Sequence, residues 1–329
     1  MRRRDALAFF AGALTHWRSA VKAEMAERVR VIGVLIGLKE NDPEITGRIA
    51  TFERGLRDLG WIEGRNLRLH YRFATDADQL QMAAWELLAL QPAIIVASSS
   101  FVVSELLRVT QTIPIVFVTA ADPIGDGFVS SLARPGGMAT GFTGNYSSIG
   151  GKWLELLKEI APNIERVAVM FNPATATGSQ AYFFPPLEAA ALSIGVGALA
   201  MPVRNPTDIE SAFTALGEPN GGLIVIPDNF TSVHRAQIVE QAARMRVPAI
   251  YPYRYFAVDG GLMSYGADLL VLYRRVATYV DRILKGASPA DIPVQEPAKV
   301  DLVINLKAAT ELGLTVPRIM LARANEVIE

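Results

Sequence analysis

The sequence predicts an α/β protein: two doubly wound parallel-sheet lobes joined by a three-crossing hinge. Three observations lead there. From residue 29 onward, short apolar runs rich in Val and Ile alternate with helical stretches that carry an apolar stripe. The alternation passes through two successive units of similar size, alike in pattern but without a sequence repeat. Extended or glycine-punctuated segments near 139–144, 258–265 and 287–298 stand where the chain would pass between the units. A chain of 329 residues, half of them hydrophobic and a fifth charged, is long enough to fill two such cores.

The first unit opens with the apolar run Val29–Ile36, a strand, which gives way to polar residues through Asp42. Pro43 suits the first turn of a helix. Ile45, Ile49, Phe52, Leu56 and Leu59 then form a 3.6-period stripe, and Gly60 ends it. Leu67, Leu69, Tyr71 and Phe73 alternate with polar residues as a second strand. Asp76 or Asp78 caps a helix reaching Leu90. Strand Ala93–Ala97 runs into Ser98, Ser99 and Ser100, which start a helix near 102–110. Strand Pro114–Val118 stops at the small polar segment Thr119–Pro123. Residues 139–144 read as the first crossing.

The second unit repeats the pattern. A helix near 151–160 leads to strand Arg166–Phe171, which ends in Asn172-Pro173. After a helix over 179–194 come strand Ala198–Pro202 and a helix from Asp208. Strand Gly222–Ile226 ends in Pro227-Asp228-Asn229. A helix to Arg244 and strand Pro248–Tyr251 follow. Gly260–Gly266 reads as a strand returning the chain to the first lobe. The helix after it carries Leu269, Leu272, Val276, Tyr279, Val280 and Ile283 on one side, with Gly286 as its stop. Residues 288–297 are proline-rich, and Lys299–Ile304 is a last strand with a helix from Leu306. The lobes are therefore expected at 27–142 plus 264–290 and at 143–263 plus 291–329. Trp61, Trp85 and Trp153 fall on or beside helices and are expected to pack.

The first 26 residues have the layout of a secretory signal peptide: Arg2-Arg3-Arg4, an apolar run from Ala6 to Leu14, and small residues at Ala20, Ala23 and Ala26. No other segment approaches a membrane span.

Composition and motif searches remove several classes of function. A formal net charge of −1 leaves no basic footprint for nucleic acid. There are no cysteines, so disulfides and thiolate chemistry are excluded. His16, His70 and His234 lie far apart and in no metal motif. The serines at 98–100 lack a GxSxG context, and neither a phosphate loop nor GxGxxG is present. No catalytic set, metal site or cofactor is expected.

In open α/β sheets ligands bind outside the carboxyl ends of the strands. The polar groups there make the candidate site. Ser98, Ser99 and Ser100, at a helix start, offer hydroxyls and N–H groups to a carboxylate; one of them also serves as the helix cap. Thr119 and Asp122 follow the fourth strand, Asp122 also suiting a turn cap. Asn172 ends the first strand of the second lobe. Asp228 and Asn229 end another, where a carboxylate suits an ammonium or a helix cap. Among the aromatics near strand ends and crossings, which include Tyr253 and Tyr255, Tyr146, Tyr251 and Tyr265 are the candidates for an organic ligand.

Several segments in this order are together specific. They are Asp122-Pro123 with Gly127, Ser131–Gly137, Lys152–Pro162, Asn172-Pro173, Gly260–Gly266, Arg282–Gly286 and Val303–Ala308. In these the chain resembles the bacterial ABC-transporter substrate-binding proteins of the type 1 periplasmic fold, in the family that includes tryptophan/tyrosine-type binding proteins. The resemblance spans nearly everything from Val29. It implies a periplasmic or otherwise exported receptor that delivers a small ligand, such as an aromatic or other amino acid, to a membrane permease and its ATPase. It also supports an acidic residue such as Asp228 as a ligand contact. The alternative is a cytoplasmic ligand-sensing module of the same fold. The stretch ahead of Val29 does not read as a helix-turn-helix.

Overall fold

The computed structural model describes residues 29–216 and 220–329. The stretch expected to be a signal peptide lies outside these residues.

The first lobe is built on a five-stranded sheet in the order β2-β1-β3-β4-β5, with every neighbouring pair parallel. Its strands are β1 (Arg30–Ile36), β2 (Leu67–Phe73), β3 (Ile94–Ala97), β4 (Ile115–Ala120) and β5 (Ala139–Thr143). The helices between them are α1 (Pro43–Asp58), α2 (Ala77–Ala89) and α3 (Ser100–Val109). In α1 the stripe buries Ile45, Phe52 and Leu56, Asp42 caps the helix through Glu44 N, and Gly60 leaves it at φ +90°.

The second lobe holds α4 (Ile149–Ile160), β6 (Arg166–Phe171), α5 (Ser179–Ser193), β7 (Gly197–Pro202), α6 (Pro206–Leu216) and β8 (Gly221–Val225). The chain continues through α7 (Asn229–Val233), α8 (Arg235–Arg244), β9 (Ala249–Tyr251), α9 (Arg254–Val258) and β10 (Met263–Gly266). Helix α10 (Leu269–Leu284) returns to the first lobe and packs on α1. Then β11 (Asp301–Asn305), α11 (Leu306–Glu311), α12 (Arg318–Arg323) and β12 (Glu326–Ile328) finish the second lobe. Its seven strands run in the order β12-β11-β10-β9-β8-β6-β7.

The two lobes and three crossings are those expected from the sequence, but the crossing points move. Residues 139–143 are a fifth strand of the first sheet, so the first crossing follows them. β10 pairs with β9 and β11 in the second sheet and does not return the chain to the first lobe; the second crossing follows Gly266. Gln295 pairs with Phe142, and Val294 N donates to Leu132 O at 2.7 Å, so residues 294–295 still belong beside the first sheet. One pairing also departs from the parallel pattern. β10 is parallel to β9, and the chain leaves its carboxyl end for the first lobe. It re-enters from that same end, so β11 runs antiparallel to β10.

Trp153 is buried, as expected for a packing residue, and Trp61 donates its indole N–H to Asp281 at 2.9 Å. Trp85 instead lies 56% exposed on the outer face of α2, whose buried stripe is Leu80, Ala83, Ala84 and Leu87. Among the described residues, no helix is long and apolar enough to cross a membrane.

Candidate functional site

The carboxyl ends of the first sheet's strands and of β6 to β10 in the second face one cleft. From the first lobe its lining includes Leu38, Arg48, Ser98, Ser99, Ser100, Thr119, Leu269 and Tyr273. From the second it includes Thr175, Ser179, Asp228, Asn229, Ser232, Tyr253 and Tyr255.

The serine turn is held from three sides. Gly37 N, at the end of β1, donates to Ser98 Oγ at 2.8 Å. Ser99 Oγ caps α3 by accepting from Val102 N at 3.4 Å. Ser100 Oγ accepts from Ala121 N at 2.9 Å. In each case the hydroxyl accepts; Ser98 and Ser99 keep their protons for a ligand, whereas Ser100 also hydrogen-bonds the Asp126 carboxylate. Thr119 donates its own hydroxyl to Ser98 O at 2.8 Å. Its backbone sits at φ +64°, and the β4–β5 register shifts there. A β-branched residue in the left-handed region is a genuine outlier, costing on the order of 1–3 kcal/mol, and such strain collects at ligand sites.

Across the cleft Asp228 is buried and crowded with donors. It accepts from Asn172 N, from the Thr175 hydroxyl and, at 2.8 Å, from Phe230 N. Burial pushes its pKa up to about 6, against the downward pull of those hydrogen bonds. Its backbone carbonyl accepts from Ser232 Oγ at 2.7 Å, and Tyr255 O–H donates to the same Ser232 Oγ at 2.9 Å. The stacked rings of Tyr253 and Tyr255, 5.6 Å between centroids, form an apolar wall.

The lobes touch. A Cβ on Gly37 would lie 2.2 Å from Asn229 Oδ1 of the second lobe, so a larger residue would displace the Asn229 amide. Arg235 of α8 donates to both oxygens of Asp42 in the first lobe, at 2.6 and 3.0 Å, and to Asp259 at 2.6 Å. On the other side Asp126 meets Gly178, where a Cβ would fall 2.2 Å from its Oδ1. Burial pushes the Asp126 pKa up to about 7, Asp122 adding to the rise while Ser100 opposes it.

Of the residues expected from sequence, Ser98, Ser99, Ser100, Thr119, Asp228 and Asn229 line this cleft together. Five stand elsewhere. Asp122 accepts from Gly125 N at 2.8 Å as a turn cap. Asn172 supports the cleft from behind: its N–H goes to Asp228, and its side-chain oxygen accepts from Ala174 N at 2.8 Å. Tyr251 packs inside the second lobe on Phe256, ring centroids 4.9 Å apart, because a strand-interior side chain faces the helix layer rather than the strand end. Tyr146 and Tyr265 hydrogen-bond to each other, and Trp153 donates to Tyr265 O at 2.7 Å.

The reading of the sequence missed Arg48, Thr175 and Tyr273, and it did not select Tyr253 or Tyr255. Arg48 had a signal. It falls three residues after Ile45 and four before Phe52, so a charge stands on the apolar stripe of α1. Tyr273 likewise sits on the stripe of α10, four after Leu269 and three before Val276.

A two-lobed cleft of this form is shared with known proteins. The family profile of ABC transporter substrate binding proteins matches residues 40–328. The chain belongs to that family. A curated relative, the tyrosine-binding protein of Clostridioides difficile (strain R20291), is 25% identical over 279 residues, covering 84% of this chain and 80% of the relative. The crystal structure of an ABC domain in complex with L-Trp from Streptococcus pneumoniae superposes with a TM-score of 0.84 at 24% identity, over 91% of this chain and 100% of that one. The ligand-free, open structure of a substrate-binding protein with adhesive properties from Clostridium difficile gives a TM-score of 0.67 at 23% identity, over 91% of this chain and 99% of that one. The family is substrate-binding.

Proposed function

We propose that this chain is the solute receptor of an ABC import system, capturing a small amino-acid-like ligand between its lobes and delivering it to a membrane permease driven by an ATPase. The observation that carries the reading is the cleft itself: strand ends of two lobes converge on it, each contributing polar groups, and three crossings permit closure. The ligand's carboxylate meets the Ser98–Ser100 turn and the start of α3, and Asp228 with Asn229 faces its other end. Tyr253 and Tyr255 flank the side chain. Support for an amino acid comes from the relatives that bind tyrosine and tryptophan.

Calorimetric titration with L-tyrosine and L-tryptophan tests the proposal. A saturable heat at one site per chain is expected, and a thermal-shift screen of the remaining amino acids covers the case in which side-chain preference has drifted. Ligand at a hundred times its dissociation constant raises stability by roughly 2.7 kcal/mol, a readily visible shift. No response to any amino acid would sink the ligand class. The receptor role also requires export to the periplasm. Sequencing the N-terminus of protein from its native host is expected to find a start between Ala23 and Glu27, and an intact Met1 would count against it.

A further inference from the structure

Arg48 is a side chain of the cleft that the fold leaves poorly paired. It lies on α1 with 6% of its surface exposed, and it lines the cleft. Its Nε and Nη2 are buried, and neither makes a hydrogen bond within the described residues. The nearest carboxylate oxygen, Glu44 Oε2, stands 3.6 Å from Nη2, an ion-pair distance but not a hydrogen bond. The guanidinium instead lies over the ring of Tyr255, 5.4 Å from its centroid. The buried hydroxyl of Tyr273 stands beside it and interacts with it, but the two do not reach full hydrogen-bond geometry. Arg235, the arginine at the contact between the lobes, differs in kind, since two carboxylates answer it. A buried guanidinium without acceptors is costly, and a planar fork of donors matches a carboxylate.

Among the described residues that line the cleft, the second lobe offers no equal counterpart for a cation. Asp228 already takes three donors within its own lobe, and burial works against its charge.

We infer that Arg48 is the anion anchor of the cleft and that the ligand is recognised as a carboxylic acid, its amino group being dispensable. The inference rests on the receptor reading and sharpens it. The carboxylate accepts from Arg48 on one side and from the hydroxyls and N–H groups at the start of α3 on the other. Tyr253 and Tyr255 then face the flat body of an aromatic acid.

Three probes that share one ring separate the possibilities: L-tyrosine, its deaminated analogue 3-(4-hydroxyphenyl)propanoate, and its decarboxylated analogue tyramine. Titration calorimetry is run on wild type, Arg48→Met and Arg48→Lys. The deaminated acid is expected to bind within about tenfold of L-tyrosine, and tyramine about a hundredfold more weakly, equivalent to about 2.7 kcal/mol. Arg48→Met should lose the acid by a similar factor, with Arg48→Lys between. A structural arginine would lower ligand-free stability when replaced, whereas here the Arg48→Met melting temperature should be unchanged or higher. Tyramine binding as well as the acids, or Arg48→Met binding them as well as wild type, would overturn the inference and leave the receptor standing. A fall in ligand-free stability with Arg48→Met would also overturn it. No binding of any of the three acids or amines to wild type overturns the inference, and the amino-acid screen then decides whether the receptor reading falls with it.

Discussion

Asp228 shows how one side chain serves two ends. Its carboxylate ties the β6 turn to the α7 start through Asn172, Thr175 and Phe230, and the same burial that shapes the tie raises its pKa to about 6. Thr175→Val keeps the shape and removes one donor. Losing a hydrogen bond to a charged group should cost about 1.5–3 kcal/mol in urea denaturation at neutral pH, with the Asp228 pKa rising further. Unchanged stability would show that the hydroxyl does not support the carboxylate. Asp126 permits a second test at this scale. Burial, with Asp122 adding, lifts its pKa to about 7. An unfolded aspartate ionises near about 4, so between about 4 and 7 the folded chain keeps a proton that the unfolded chain has lost, and stability falls as pH rises through that window. Above about 7 both states are ionised and the contribution is level. Asp126→Asn should flatten the melting temperature against pH over this range, leaving a smaller slope up to about 6 from Asp228. A variant that follows the wild-type profile would refute the assignment.

Helices and strands were legible where their signal was local. The stripe of α1, its Asp42 cap and its Gly60 stop are all present in the structure, as is the buried side of α10. Sheet membership was less so. β5 read as a crossing because a long loop separates it from β4, and β10 because nothing within Met263–Gly266 states which sheet it joins, although its neighbour β9 is the strand before it. The site divides similarly. Ser98–Ser100, Asp228 and Asn229 follow strands, Thr119 stands at the carboxyl end of β4, and all were found by that rule. Tyr273 and Arg48 reach the cleft from helix faces, where a stripe position is usually core. Two glycines in α1 test the packing of that helix. A Cβ on Gly55 would come 2.8 Å from Ala277 Cβ and 3.1 Å from Arg274 O on α10. A Cβ on Gly47 would make only an ordinary 3.5 Å contact with Leu270. Gly47→Ala should therefore stabilise by roughly 0.5–1 kcal/mol through backbone entropy alone. Gly55→Val should destabilise by about 1–3 kcal/mol by forcing α1 and α10 apart. Equal effects at the two positions in thermal denaturation would mean that the close approach of the helices is not what selects Gly55.

At the scale of the whole molecule, closure is an equilibrium that ligand and inter-lobe contacts share. Asn229 against Gly37 and Asp126 against Gly178 fit the surfaces together, but the charged tie is Arg235 to Asp42. Both side chains are about nine-tenths buried where the lobes meet, and Asp259 holds Arg235 from its own lobe. Asp42 has a second task as the cap of α1. Asp42→Asn separates the two, because asparagine caps a helix about as well as aspartate but cannot pair with the guanidinium as a carboxylate does. The lobes should fold as before while the closed state loses population. If closure becomes tenfold rarer, ligand affinity falls tenfold, equivalent to about 1.4 kcal/mol, since only the closed form presents both walls of the cleft to the ligand. Small-angle scattering of ligand-free protein should then give a larger radius of gyration for Asp42→Asn than for wild type, and saturating ligand should bring the two together. Identical radii and identical affinities would remove Arg235–Asp42 from the closing contacts and leave the shape fit at Gly37 and Gly178 to hold the lobes.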